Sequence, residues 1–168
     1  MKGVVGMGIR EQLTPEQWKA LVNTPGAAAT FVATASGGGL EVFKEVFSAS
    51  KFTQEIAGKS GGSGYGSLVD DLIAAMKGMT FEEAKANAIQ YQSQNPADIR
   101  AEMKRLVAEG VAVIAGLPGA DGFKKWLVDM AREVAGTKTG GVLGIGGQAI
   151  IDEQEQAAIA ELTAMMDL

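Results

Sequence analysis

Neither histidine nor cysteine occurs anywhere in the 168 residues, and that removes most of the familiar catalytic repertoire. Without imidazole there is no ordinary general base at neutral pH and no Ser-His or Cys-His nucleophile. Without thiols there are no disulfides, no thiolate catalysis and no zinc–sulfur site. Carboxylates remain, as Asp70–Asp71, Glu82–Glu83, Glu41 with Glu45, and Glu153 with Glu155. Of these pairs, only Glu41 and Glu45 have the four-residue spacing that places two groups on one helix face. A metal would need an all-oxygen cage, and no D-x-[DN]-x-[DN]-G loop is present. Solvated helix faces and partners for helix N-termini account for these residues, and no metal or cofactor is expected.

Three short strings imitate catalytic or phosphate-binding motifs. Gly58-Lys59-Ser60 matches the end of a phosphate-binding loop, but the required first glycine is replaced by Thr53, and Thr53 to Ala57 reads as helix where a strand is needed. Gly144-Ile145-Gly146-Gly147-Gln148-Ala149 matches G-x-G-x-x-A, yet only Val142 and Leu143 could form its strand. The next helix is capped by Asp152, which would repel a pyrophosphate. Ser48-Ala49-Ser50-Lys51, Ser93-Gln94-Asn95 and Lys138-Thr139-Gly140 follow the order of penicillin-binding acyl-transferases. That chemistry needs Lys-Thr-Gly on a strand edge, whereas here it falls in a predicted glycine loop. A linker role explains the first better and a helix-to-helix packing loop the second, while three short patterns like the last arise easily by chance.

Trp18, Trp126, Phe43, Phe47 and the eight methionines could line an apolar ligand cavity. Aromatic and methionine side chains at helical spacing more often fill a core.

The elements that would position these groups read as helices. Thr14-Pro15-Glu16-Gln17 and Thr80-Phe81-Glu82-Glu83 are capping boxes, Asn95-Pro96 is a cap with proline at N1, and Asp152-Glu153-Gln154-Glu155 opens a final helix. Phe123, Trp126, Leu127, Met130 and Val134 form one helical stripe, and Leu68, Val69, Leu72, Ile73 and Met76 form another. Ile99, Met103, Leu106, Val107 and Ile114 mark a longer helix, apolar all round in its second half and so expected to be central. Val42, Phe43, Val46, Phe47 and Ile56 predict a helix from about Leu40 to Gly58. Ala27 to Ala35 predicts a short buried helix beginning behind Pro25, since proline favours a helix start. Val142 to Ile145 and Ala149 to Ile151 are too brief or too glycine-broken for a sheet.

Glycine is abundant, 23 of 168 residues, about twice its usual share of roughly 7%. It gathers in three joints: Ser36 to Gly39, Gly58 to Ser67, and Gly136 to Gly147. The prediction is an all-α fold, one domain over residues 1–168, with about seven helices joined by glycine-rich loops.

Net charge is −5, and no more than two basic residues adjoin, so the basic stripe needed for nucleic-acid binding is missing. The N-terminus lacks a signal-like apolar core, and no stretch approaches the roughly 20 apolar residues of a membrane span. A cytoplasmic location is the expectation.

The C-terminal block resembles that of a family of small bacterial helical proteins with no assigned activity. The resemblance rests on Phe123-Lys124-Lys125-Trp126-Leu127, the strip Gly140-Gly141-Val142-Leu143-Gly144-Ile145-Gly146-Gly147, and the acidic cap Asp152-Glu153-Gln154-Glu155. It implies a helical fold and confers no site.

The functional expectation is a non-catalytic helical protein acting by association, with itself or with a partner protein. Its contact surface is placed on Gly140, Gly141, Gly144, Gly146, Gly147, Met165, Met166 and Leu168. The alternative is a binder of a small apolar ligand in an inter-helix cavity lined by Phe43, Phe47 and Trp126. An enzyme using carboxylate or lysine chemistry would need two such groups converging in a cleft.

Overall fold

The computed structural model describes residues 8–36, 62–140 and 153–168. Among them are six α-helices and no strand: α1 (Pro15–Ala33), α2 (Ser67–Lys77), α3 (Phe81–Asn87), α4 (Pro96–Ile114), α5 (Ala120–Gly140) and α6 (Glu153–Met165). Short 3-10 turns lie at Ile9–Gln12 and Thr34–Ser36.

The helix starts follow their capping residues. Thr14 Oγ1 accepts from Gln17 N at 3.2 Å, and Gln17 Oε1 accepts from Thr14 N at 3.0 Å. Thr80 and Glu83 repeat the arrangement at 3.2 and 2.9 Å, while Asn95 Oδ1 accepts from Ala97 N at 2.9 Å. Each cap satisfies amide groups that a helix start leaves without partners.

Helix α1 is the enclosed element. Leu21, Ala27, Ala28, Ala29, Phe31 and Val32 are at most 1% exposed, and Thr24, Thr30 and Thr34 are buried with them. The hydroxyls are satisfied inside the helix: Thr24 donates to the Ala20 carbonyl at 2.7 Å and Thr30 to the Gly26 carbonyl at 2.8 Å. The helix passes straight through Pro25, so the predicted new start behind that proline is wrong. Proline forfeits one backbone bond there, but burial of nearly every later side chain holds the helical path.

Helix α4 also differs from expectation. It buries Met103, Val107, Gly110 and Ile114, whereas Ala108, Glu109 and Ala112 are exposed. Its second half is one-faced rather than central, because alanine is small enough to stand in water at little cost. It packs along α1. Where they meet, a β-carbon at Gly110 would lie only 2.8 Å from Thr24 Cβ, so glycine is what allows this approach.

Helix α5 supplies the largest share of the remaining core through Phe123, Trp126, Leu127, Val128, Met130, Ala131 and Ala135, all at most 3% exposed. Phe123 and Trp126 meet edge to face at 5.5 Å and 71°, a preferred arrangement for aromatic rings. The helix runs on to Gly140, so Lys138-Thr139-Gly140, predicted as loop, has helical backbone. The predicted helix from Leu40 to Gly58 and the short pieces at Val142 to Ile145 and Ala149 to Ile151 lie outside the described residues. No helix among the described residues is long and apolar enough to cross a membrane.

Candidate functional site

Helix α6 has a buried inner face and an outer face of small and polar side chains. The inner one buries Glu155, Ala158, Ile159 and Leu162, and Met166 follows at 0% exposure. Glu155, expected on a solvated face or as a partner for the helix N-terminus, lies in the first turn and is 1% exposed, because its position falls on the stripe that turns inward. The outer face carries Gln156, Ala160, Thr163 and Ala164. With Ile159, Leu168 and Arg132 of α5 these residues line an open groove of about 460 Å³.

The groove is apolar for a local reason. Thr163 donates its hydroxyl to the Ile159 carbonyl at 2.7 Å, which spends its polar capacity within the helix. Leu168 is brought to the groove by the way α6 ends. Leu168 N donates to the Thr163 carbonyl at 3.4 Å and Asp167 N to the Ala164 carbonyl at 3.2 Å, while Asp167 takes a left-handed φ of 55°. This pairing of bonds is a Schellman motif, with aspartate at the position usually taken by glycine. Leu168 is 57% exposed, one of three large apolar side chains that stand out in water among the described residues, with Phe81 and Tyr91.

Charged groups tie these helices to their neighbours. Arg132 pairs with Asp129 one turn back at 3.3 Å, and the Tyr65 hydroxyl donates to the other Asp129 oxygen at 2.9 Å. Burial, then the hydrogen bond to Asp129 and that carboxylate's charge, push Tyr65 up to about 12. On the far side of α6, Glu161 accepts from Lys104 and, at 3.4 Å, from Arg100 of α4. The hydrogen bond from Lys104 leads the causes that hold Glu161 below the usual carboxylate range. Arg100 also lies over the Phe31 ring at 4.8 Å, so α6, α4 and α1 are tied at one place.

The predicted site residues separate accordingly. Leu168 is exposed at the groove, Met165 is half-buried, and Met166 is buried in this chain's own core, where it cannot serve as a contact surface. Gly140 closes α5. Gly141, Gly144, Gly146 and Gly147, and the aromatic pair Phe43 and Phe47, lie outside the described residues. Trp126 is fully buried and does not border the groove. Its indole N–H, like that of Trp18, has no hydrogen-bond partner among the described residues.

The groove's α6 residues were legible only as a pattern: Gln156, Ala160 and Ala164 recur every four residues. Alanines and a glutamine carry too little apolar weight to mark a surface on their own. The acyl-transferase-like strings are not assembled by the described residues. Ser93 and Asn95 are spent on the start of α4, Ser93 donating to Asp98 at 3.0 Å and accepting from Asn95 N at 3.0 Å. Among the described residues no three carboxylates converge as a metal site. No family model, curated protein or solved structure matches the chain.

Proposed function

We propose that this is a non-catalytic helical protein that works by association, with the outer face of α6 as its contact surface. The observation that supports this most is Leu168, 57% exposed yet held by a hydrogen-bonded helix end against an apolar groove. An ordered apolar side chain in water costs less when a partner covers it. The groove's openness favours a protein partner over a small apolar ligand, because ligand sites generally enclose about 70–90% of the molecule they hold. Of the surface expected from the sequence, Gly140, Gly141, Gly144, Gly146, Gly147, Met165, Met166 and Leu168, only Leu168 is kept, and Gln156, Ala160, Thr163 and Ala164 join it.

Native mass spectrometry of the chain recovered from its source cells tests this reading, comparing the natural chain with Ala160→Arg. Ala160 is exposed, so the arginine changes the face and leaves the core alone. Species heavier than the monomer are expected from the natural chain and should disappear in the variant. Identical spectra would refute association through this face.

A further inference from the structure

We propose that the segment from Met79 to Gln94, with α3 at its middle, is a strap that opens from the rest of the fold as a unit and bares one face of α1. This goes beyond association through α6 and does not depend on it.

The segment gains little from burial. From Lys77 to Asp98 no residue is buried, the longest such run among the described residues, and α3 adds none of its residues to the core. Phe81 and Tyr91, two of the three large apolar side chains that stand in water, belong to it. A helix this short does not hold itself in water, so its place depends on contacts with the rest of the chain. One hold is Ile89, whose Cδ1 would lie 3.6 Å from a β-carbon at Gly26 of α1. The other is Arg10, which donates to Glu83 Oε1 at 3.1 Å. The same guanidinium lies over the Trp18 ring of α1 at 5.6 Å, and its neighbour Ile9 is buried in the core.

Trp18, Val22 and Gly26 are spaced by four residues, so both holds fall on one face of α1. Along α1 from Leu21 to Ala33, only Val22 and Gly26 are not fully buried. The face that the two holds mark is therefore the least covered part of an otherwise enclosed helix.

The strap can leave without unravelling its neighbours. Gly78 N donates to the Ala74 carbonyl at 3.1 Å, so α2 ends within itself, and Asn95 starts α4 by accepting from Ala97 N. Inside the strap Glu83 serves twice. Its Oε2 accepts from Thr80 N at 2.9 Å and caps α3, while its Oε1 takes Arg10. One carboxylate thus starts the helix and latches it to the body. Units held by few buried contacts open at a lower free energy than the core does.

Glu83→Gln separates those two roles, because glutamine already completes the same kind of cap at Gln17. Hydrogen exchange of the full chain reads the result. Amides from Ala84 to Ala88 should exchange more slowly than in an unfolded chain, yet about tenfold or more faster than those of α1 and α4. Glu83→Gln should speed them about two- to fivefold, as loss of an exposed ion pair allows, and Ile89→Ala about tenfold. Exchange in α1 and α4 should not change. Phe81→Ala, which alters only an exposed side chain, should leave the strap's exchange as it was. Since the chain has no cysteine, Val22→Cys supplies a single thiol under the strap. Its labelling by a thiol reagent should accelerate by the same factors when Glu83→Gln or Ile89→Ala is added. Equal acceleration across α1 and α4 would mean plain loss of stability and would overturn the strap. Strap amides as protected as the core, or wholly unprotected, would overturn it too. Opening that leaves labelling at Val22→Cys unchanged would overturn the cover over α1.

Discussion

Thr24 and Gly110 meet where α1 and α4 pack together, and their contact leaves no room for a β-carbon on the glycine. Thr24 is fully buried and its hydroxyl is committed to the Ala20 carbonyl, so it cannot rotate away without losing a bond. Gly110→Ala should therefore destabilise the protein by about 1–3 kcal/mol, as overpacked cores do. Thr24→Ala should restore part of that loss in the double variant, because directly touching sites are not additive. Urea unfolding of the four proteins measures the coupling; strictly additive effects would show that the helices part easily at this point.

Asp167 holds a left-handed backbone that costs an L-residue more than glycine. Asp167→Gly should stabilise the chain by up to about 1 kcal/mol, whereas Asp167→Val should destabilise it by a similar amount. Thermal melts of the two variants check the order. If valine equals glycine, the bonds from Leu168 N and Asp167 N do not hold the helix end.

Tyr65 is one of two tyrosines, so Tyr91→Phe leaves it alone in an absorbance titration. Its midpoint should lie near 12 rather than at its ordinary 10.0. Because the folded value exceeds the unfolded one, the neutral hydroxyl favours the native state fully below about pH 10, and that contribution is lost as pH rises toward 12. Stability should fall more steeply over this window in the natural chain than in Tyr65→Phe. A midpoint near 10 would show that the Tyr65–Asp129 bond is not kept in solution.

Glu161 bridges α4 and α6, and its pairing with Lys104 leads the causes that lower its pKa. A lowered carboxylate contributes stability above its unfolded value, here 4.5, and loses it as pH falls through the folded value. Its side chain is 38% exposed, so solvent screening limits the effect. Glu161→Gln should cost under about 1 kcal/mol at neutral pH and nothing measurable once the natural residue is protonated in acid. Denaturation at both pH values in low and high salt tests this; a loss unchanged by acid would point to packing instead of charge.

Trp126 is a fully buried side chain in the first half of α5. Trp126→Ala should cost about 3–5 kcal/mol through lost burial and the cavity left behind. A loss below about 1 kcal/mol would mean that the indole stands in a loosely filled space, reviving it as a ligand-site wall.

Helix starts were legible because they depend on neighbours in the chain. Thr14, Thr80 and Asn95 each cap amides two or three residues ahead, a reach that sequence spacing states directly. The stripes Leu68 to Ile73 and Phe123 to Met130 were legible for the same reason, since helical periodicity is local. The missing imidazole and thiol chemistry follows from composition and needs no fold at all.

Contacts between distant segments settled the rest. Pro25 remains inside α1 because that part of the helix is enclosed by other elements, a gain invisible in local propensity. Gly110 is needed because Thr24, far away in sequence, fills the space its side chain would take. Glu155 and Met166 turn inward while Ala160, Ala164 and Leu168 face a groove, and only the seating of α6 against α1 and α5 distinguishes those two faces. Local chain chemistry chooses which segments become helices; burial against sequence-distant partners chooses which face of each helix meets water.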